Sequence, residues 1–205
     1  MGRHPPASTV TPSARQRILD AAMRLFSASS FDDTSLRDIA AEAQVDVAYV
    51  HRCYGSKEKL FAHALNVSLQ PGRVFDDVGS DIGKALAREV FSRDAGNPQD
   101  VRALDIAVRS LSSAAARNVL KDVIGADLIA PLSDRIPPPN EMRAVLTIAA
   151  MAGIGLFRNV LAFEALQEPA GGELEAVVAN LLTDIMRRPR RRLGDEGLTN
   201  HDYDE

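Results

Sequence analysis

Apolar residues recur along this chain at the three- and four-residue spacing of helices almost throughout. Ile18, Ala21, Ala22, Leu25 and Phe26 form the first stripe, with Ser13 placed to cap it and the serines near 27–30 placed to end it. A second, short stripe holds Leu36, Ile39, Ala40 and Ala43. Ser35 opens it with Asp38 three residues on, which reads as a capping box. After a break at Gln44 and Val45, Asp46 can cap a third helix of roughly eight residues with Val50 and Tyr54 on its inner side. Gly55 closes that helix, and Ser56 caps a fourth that carries Leu60, Phe61, Ala64 and Leu65 as far as Pro71-Gly72.

No strand-like alternation follows. Phe75, Val78, Ile82, Leu86 and Val90 keep helical period, as do Val101, Leu104, Val108 and Leu111. Residues 114–136 read as helix in two pieces, divided by Gly125 and Pro131, and three prolines at 137–139 stop the chain. A long helix is expected from Glu141 to Leu166. A last one is marked by Leu174, Val177, Val178, Leu181, Leu182 and Ile185 and is ended by Pro189. Nine helices and an all-α fold are predicted. The expected divisions are a flexible arm over 1–12, a helical domain over 13–70, a larger helical domain over 71–188 and a flexible charged tail over 189–205.

Composition narrows the class. The 205 residues are 45% hydrophobic, enough for a sizeable core, and include seven Phe, three Tyr and no Trp, which favours helix on helix. One cysteine, Cys53, excludes an internal disulfide and a multi-cysteine metal centre. No apolar run approaches the 18 or so residues of a membrane span; the best, Ala144 to Phe157, runs into Arg158. With no secretory signal core at the N-terminus, a cytoplasmic protein without a membrane partner is expected. The formal charge of −4 excludes a generally basic nucleic-acid coat but leaves room for a local footprint.

Two short helices over 35–43 and 47–54, joined by a tight turn, have the spacing of a helix-turn-helix, in which one helix braces and the next enters the major groove. A small helical subdomain of another purpose would show the same pattern. From Arg15 to Leu65 the chain resembles the TetR family of transcriptional regulators. The matching residues are Arg17-Ile18-Leu19-Asp20-Ala21-Ala22, Leu25-Phe26, Phe31, Thr34-Ser35, Asp38-Ile39-Ala40, Ala43 and Val45, followed by Tyr54-Gly55-Ser56-Lys57-Glu58-Lys59-Leu60-Phe61. The resemblance departs at Gln44, where glycine is usual in a turn that favours positive φ, and at Asp46, where serine is usual. It departs again at His51 and Cys53.

If the third helix reads DNA, Val47, Ala48, Tyr49 and Arg52 are the groove candidates. Val47 and Ala48 suit a thymine methyl, Tyr49 can pack or donate a hydrogen bond, and Arg52 can grip phosphate or guanine. The resemblance implies phosphate contacts from His51 and Lys57, and Thr34 or Ser35 would offer a hydroxyl and helix N–H groups to another phosphate. Arg3, Arg15 and Arg17 could follow the backbone or minor groove. The arginines at 187, 188 and 190–192 are cancelled by the acidic residues after them.

From Ala144 to Phe157 the penultimate long helix is uncharged on every side, so it must be covered all round. Gly153 and Gly155 would let a neighbouring backbone approach. The resemblance implies a homodimer through the last two long helices, double-stranded palindromic DNA as partner, and a small-molecule effector in a cavity whose filling moves the fourth helix. Arg158 and Asn159 could anchor a polar group of that effector, although helix exit into solvent explains them equally. No catalytic residues, metal or cofactor are expected: Gly153-Ile154-Gly155 follows no strand, and His51 and Cys53 do not face one ligand position. The competing reading is a non-catalytic helical binding or scaffold protein with a degenerate DNA-binding module.

Overall fold

Side-chain caps set the first four helices of the computed structural model, which describes residues 12–70, 75, 81–91 and 101–187. Ser13 accepts from Gln16 N at 3.1 Å and starts α1 (Ala14–Ala28). Ser35 and Asp38 close a reciprocal box at the start of α2 (Leu36–Glu42): Asp38 N donates to Ser35 Oγ at 3.2 Å and Ser35 N to Asp38 Oδ2 at 2.9 Å. Asp46 Oδ1 accepts from Ala48 N at 2.6 Å and opens α3 (Val47–Tyr54). Ser56 Oγ accepts from Lys59 N at 3.2 Å and opens α4 (Lys57–Leu69). Each bond satisfies a helix N–H that has no partner within its own helix. Gly55, at φ 81°, ends α3 in the left-handed half of the map, where a side chain would be strained.

The remaining helices are α5 (Ile82–Phe91), α6 (Ala103–Ser110), α7, α8 and α9 (Glu173–Arg187). Two of them depart from the sequence expectation in the same way. Ala114–Ile124 passes through a π-helical turn, Gly125–Ile129, straight into Ala130–Ser133, so α7 is not broken. Pro131 has no N–H to give, and widening the turn just before it lets the helix continue. Likewise α8, Asn140–Gly155, widens into a π turn over Leu156–Val160 and then stops. Leu166 belongs instead to a separate 3-10 turn, Glu164–Leu166, and Ala162 between them takes φ 54°. Nine α-helices stand among the described residues, in an all-helical fold. The expected N-terminal arm, apart from Pro12, and the tail lie outside those residues, as does Val78.

Two cores hold the chain. The first gathers Ile18, Phe26, Phe31, Ile39, Val50, Leu60 and Phe61, and it also takes Ile106, Ala116 and Leu120 from α6 and α7, beyond residue 70. The second joins Leu86, Phe91, Leu128, Leu132, Ile148, Val178 and Leu182. Within it α5 lies directly on α9: a Cβ at Gly83 would run into Thr183 Oγ1 and come within 2.7 Å of the Ala179 carbonyl oxygen. Hydrogen bonds among the described residues that span the halves include Asn66 Nδ2 to Asp127 Oδ2 at 2.8 Å and Ser113 Oγ to Asp32 Oδ1 at 2.9 Å.

The apolar stripe of α9 divides. Val178, Ala179, Leu182 and Met186 are buried, whereas Val177 and Leu181 are exposed. The same division runs along α8, where Ala144, Thr147, Ile148 and Gly155 face inward while Met142, Val145, Leu146, Phe157 and Val160 face out, with Leu161 and Phe163 beyond them. With its π turn, α8 covers Asn140–Val160 and is, by length and composition, sufficient to cross a membrane, the one such helix among the described residues. Here it packs one side on its own domain and carries buried Arg143 and Arg158.

Candidate nucleic-acid interface and ligand cavity

The first, second and fourth helices hold α3 by one side. Val50 is fully buried, and Tyr54 is half-buried with its hydroxyl donating to Arg15 O at 3.0 Å. On the outer side Ala48, His51 and Arg52 are exposed, and Val47 and Tyr49 are half-buried at its edge. Arg52 lies 5.4 Å from the Tyr49 ring, so the guanidinium is arrayed beside the phenol, with no ion pair to an acid among the described residues. The Tyr49 phenol is held above its usual range, first by its hydrogen bond with the Cys53 side chain and then by mutual repulsion when both ionise, and it stays a neutral hydroxyl near pH 7. His51 Nδ1 is 3.1 Å from Gly55 O, which orients the ring with its other nitrogen outward.

Three of the expected phosphate residues are engaged within the protein. Thr34 is buried and its hydroxyl donates to Ser30 O at 3.0 Å. Ser35 is exposed, yet its hydroxyl both caps α2 and donates to Asp38 Oδ2 at 2.6 Å. Lys57 Nζ donates to Phe31 O at 2.8 Å and Thr34 O at 3.1 Å and sits 4.2 Å from the Phe31 ring centroid. It ties down the loop before α2. Arg17, similarly, donates from Nε to Ala43 O at 3.1 Å and closes the end of α2. Gln44 takes φ 54° in the turn between α2 and α3, the conformation for which glycine is suited.

A cavity of about 170 Å³ lies where the two cores meet. Its wall takes Leu65, Ser68 and Leu69 from α4, and α5, α6, α7 and α8 complete it with aliphatic and small side chains. The polar members of the wall are Ser68, Glu89, Arg102 and Asn159. Asn159 Nδ2 donates to Val90 O at 3.1 Å. Arg158 is not in the wall: its guanidinium lies 4.3 Å from the Phe91 centroid and donates to Glu168 O at 2.7 Å and to Asn159 Oδ1 at 3.1 Å. Both residues are buried, so helix exit into solvent does not account for them. Arg158 instead holds Asn159. Sequence reasoning missed Ser68, Glu89 and Arg102, since helical period alone does not separate a cavity wall from a filled core.

An exposed helix on a helix-turn-helix, beside a larger helical domain that shares a cavity with α4, is the arrangement of a DNA-binding regulator with a sensor. The model of the "Bacterial regulatory proteins, tetR family" matches residues 18–64, and that of the "Tetracyclin repressor-like, C-terminal domain" matches residues 80–186, over half the chain. The chain belongs to the TetR family, a class of ligand-responsive DNA-binding transcription regulators and not of enzymes. The HTH-type nicotine-responsive transcriptional repressor HdnoR of Paenarthrobacter nicotinovorans is 36% identical over 86 residues, 40% of this chain and 43% of that protein. The match therefore spans less than half of that curated relative. Among solved structures, the multidrug binding protein EbrR complexed with imidazole is similar at TM-score 0.61 and 24% identity, covering 89% of this chain and 99% of that one. A TetR-family regulator of Streptomyces coelicolor is similar at TM-score 0.54 and 26% identity, covering 91% and 99%.

Proposed function

We propose that the chain is a homodimeric repressor that binds a palindromic operator and leaves it when a small molecule fills the cavity. The observation that carries this reading is the α3 surface: a short helix capped at both ends, fixed by Val50, and open to solvent at Ala48, His51 and Arg52. Val47, Ala48, Tyr49 and Arg52 are assigned to base edges and His51 to phosphate. Lys57, Thr34 and Ser35 serve at one remove, by fixing the loop and cap that present the α2 N-terminus.

The exposed apolar residues of α8 and α9 support a two-fold dimer, because so many large hydrophobic side chains on adjoining helices gain from being covered by the same surface of a second copy. Gly153 has open space where a Cβ would stand, which suits close approach of a partner helix. Release follows if the effector prefers one arrangement of α4, since Leu65, Ser68 and Leu69 of that helix wall the cavity and its first turn follows α3 directly. HdnoR is named a nicotine-responsive repressor, and this favours repression over activation here.

The test is fluorescence anisotropy on DNA from upstream of the protein's own gene. Tight, salt-sensitive binding to a palindrome, lost on adding a cavity ligand, is expected. Equal micromolar binding to every DNA would instead favour a helical scaffold with a degenerate DNA-binding module.

A further inference from the structure

One helix of the cavity wall is tied to the DNA-reading half by hydrogen bonds at its start and again in its π turn. At its start α7 is capped by buried Ser113, whose hydroxyl accepts from Ala116 N at 3.4 Å and donates to Asp32 Oδ1 at 2.9 Å. Asp32 lies in the α1–α2 loop, next to Phe31, whose carbonyl accepts from Lys57 and whose ring belongs to the reader's core. Farther along, Asp127 in the π turn accepts from Asn66 of α4 at 2.8 Å. Between those bonds Leu120, Val123 and Ile124 line the cavity, and Leu128 follows. Leu120 is also a buried member of the reader's core, so whatever presses on it from the cavity presses on that core.

The other walls are held more firmly. α5 lies directly on α9 at Gly83. α8 is held by buried Arg143, which donates to Met186 O at 3.0 Å, and by Arg158, which donates to Glu168 O at 2.7 Å. α4 sets Phe61 against the rings of Phe26 and Phe31. In α7, by contrast, Ala130 N reaches back to Gly125 O, and a Cβ at Gly125 would meet nothing within 4 Å. A widened turn beside open space is where a helix bends most readily. We propose that α7 transmits occupancy of the cavity to the reader, and that Ser113 and Asp32 are positioning residues through which it shifts the loop that presents α2. This rests on the reading of the cavity as the effector site. It adds a route to the reader beside α4 and the pair of side chains that carries it.

Size then decides which occupants act, because one that fits without displacing α7 favours neither arrangement and produces no response. About 170 Å³ is near the roughly 150 Å³ that takes up one benzene in a close-packed core. Benzene therefore enters without moving a wall, and naphthalene does not. NMR-resolved hydrogen exchange on the full chain, without DNA, tests the route with these two probes. Naphthalene should speed exchange of the amides of residues 31–35 about fivefold, and benzene should leave them unchanged. Asp32→Ala should raise those rates in the ligand-free protein and cut the naphthalene response to less than about twofold. Asp32→Asn keeps an acceptor oxygen and should restore both. A residue that merely supports the fold would change the starting rates without changing the response.

Met151→Trp, from the α8 wall, provides a tethered occupant if naphthalene stays out. With helical circular dichroism intact, it should give the same loop response and the same dependence on Asp32. The inference is overturned if naphthalene binds and the loop stays silent, if benzene acts equally, if Asp32→Ala responds as the wild type does, or if neither naphthalene nor Met151→Trp reaches the loop. An operator released by an effector while residues 31–35 stay silent also overturns it, and leaves the regulator reading standing with α4 alone as the route. A loop response without specific DNA supports the route and removes the regulator reading.

Discussion

In the N-terminal core Phe26, Phe31 and Phe61 meet edge-on or stacked, with ring centroids 4.9, 5.0 and 6.0 Å apart. Where that core adjoins the second, α4 to α8 surround about 170 Å³ of empty space with a wall that is mostly aliphatic and small side chains. The first arrangement holds α3 in one position; the second tolerates occupancy by something other than protein. Rigid reader and adaptable sensor are thus separated by how completely each is filled.

Truncations should expose that contrast most strongly. Phe61→Ala removes a ring from a closed cluster and should cost about 3–5 kcal/mol in urea unfolding, with loss of DNA binding. Leu128→Ala widens a space already present, so about 2–3 kcal/mol is expected, and bulkier ligands should enter. Equal costs would erase the distinction. Lys57→Met comes next. Losing two charge-assisted bonds to the α1–α2 loop should lower stability by about 2 kcal/mol; unchanged stability with weakened DNA binding would return Lys57 to the phosphate surface.

Much of the reader was legible because its signals are local. Ser13, Ser35, Asp46 and Ser56 each bond to an N–H two or three residues away, so spacing alone places four helix starts. Thr34 and Lys57 were harder to place, since the acceptors that engage them sit on a loop whose course depends on Phe31 packing. In the sensor the deciding partners are remote. Arg158 is buried because Phe91 and the Glu168 carbonyl lie beside it, 67 and 10 residues away in the chain. Helical period likewise identified the apolar residues of α9 without showing that Val177 and Leu181 turn away from Leu182. Gly125 and Pro131 read as breaks, and a π turn absorbs them.

Smaller effects sharpen the reader further. Asp46→Ser keeps a cap on α3 but removes a negative charge beside the proposed DNA-reading surface, so operator affinity should rise about fivefold at low salt and less as salt increases. Gln44→Gly relieves a left-handed side chain and should stabilise by about 0.5–1 kcal/mol, read as a raised denaturation midpoint. The smallest concerns acid. The Ser35 hydroxyl, and next its N–H, hold the Asp38 carboxyl below the usual carboxylate range. A carboxyl depressed in the folded state contributes fully above its unfolded pKa, and that contribution fades as pH falls through the lower folded value. Asp38→Asn should therefore flatten the acid limb of the stability profile, with NMR titration locating the change at α2.

Because Ile106, Ala116 and Leu120 are shared with the reader's core, a cut at residue 70 would leave α1 and α4 with uncovered apolar surface. A chimera that grafts a foreign sensor onto this reader must carry complementary side chains at those three positions. Without them the graft would aggregate before it could bind anything. Interchange of sensing halves in such proteins is therefore governed by a seam of a few aliphatic contacts, as well as by the connecting helix.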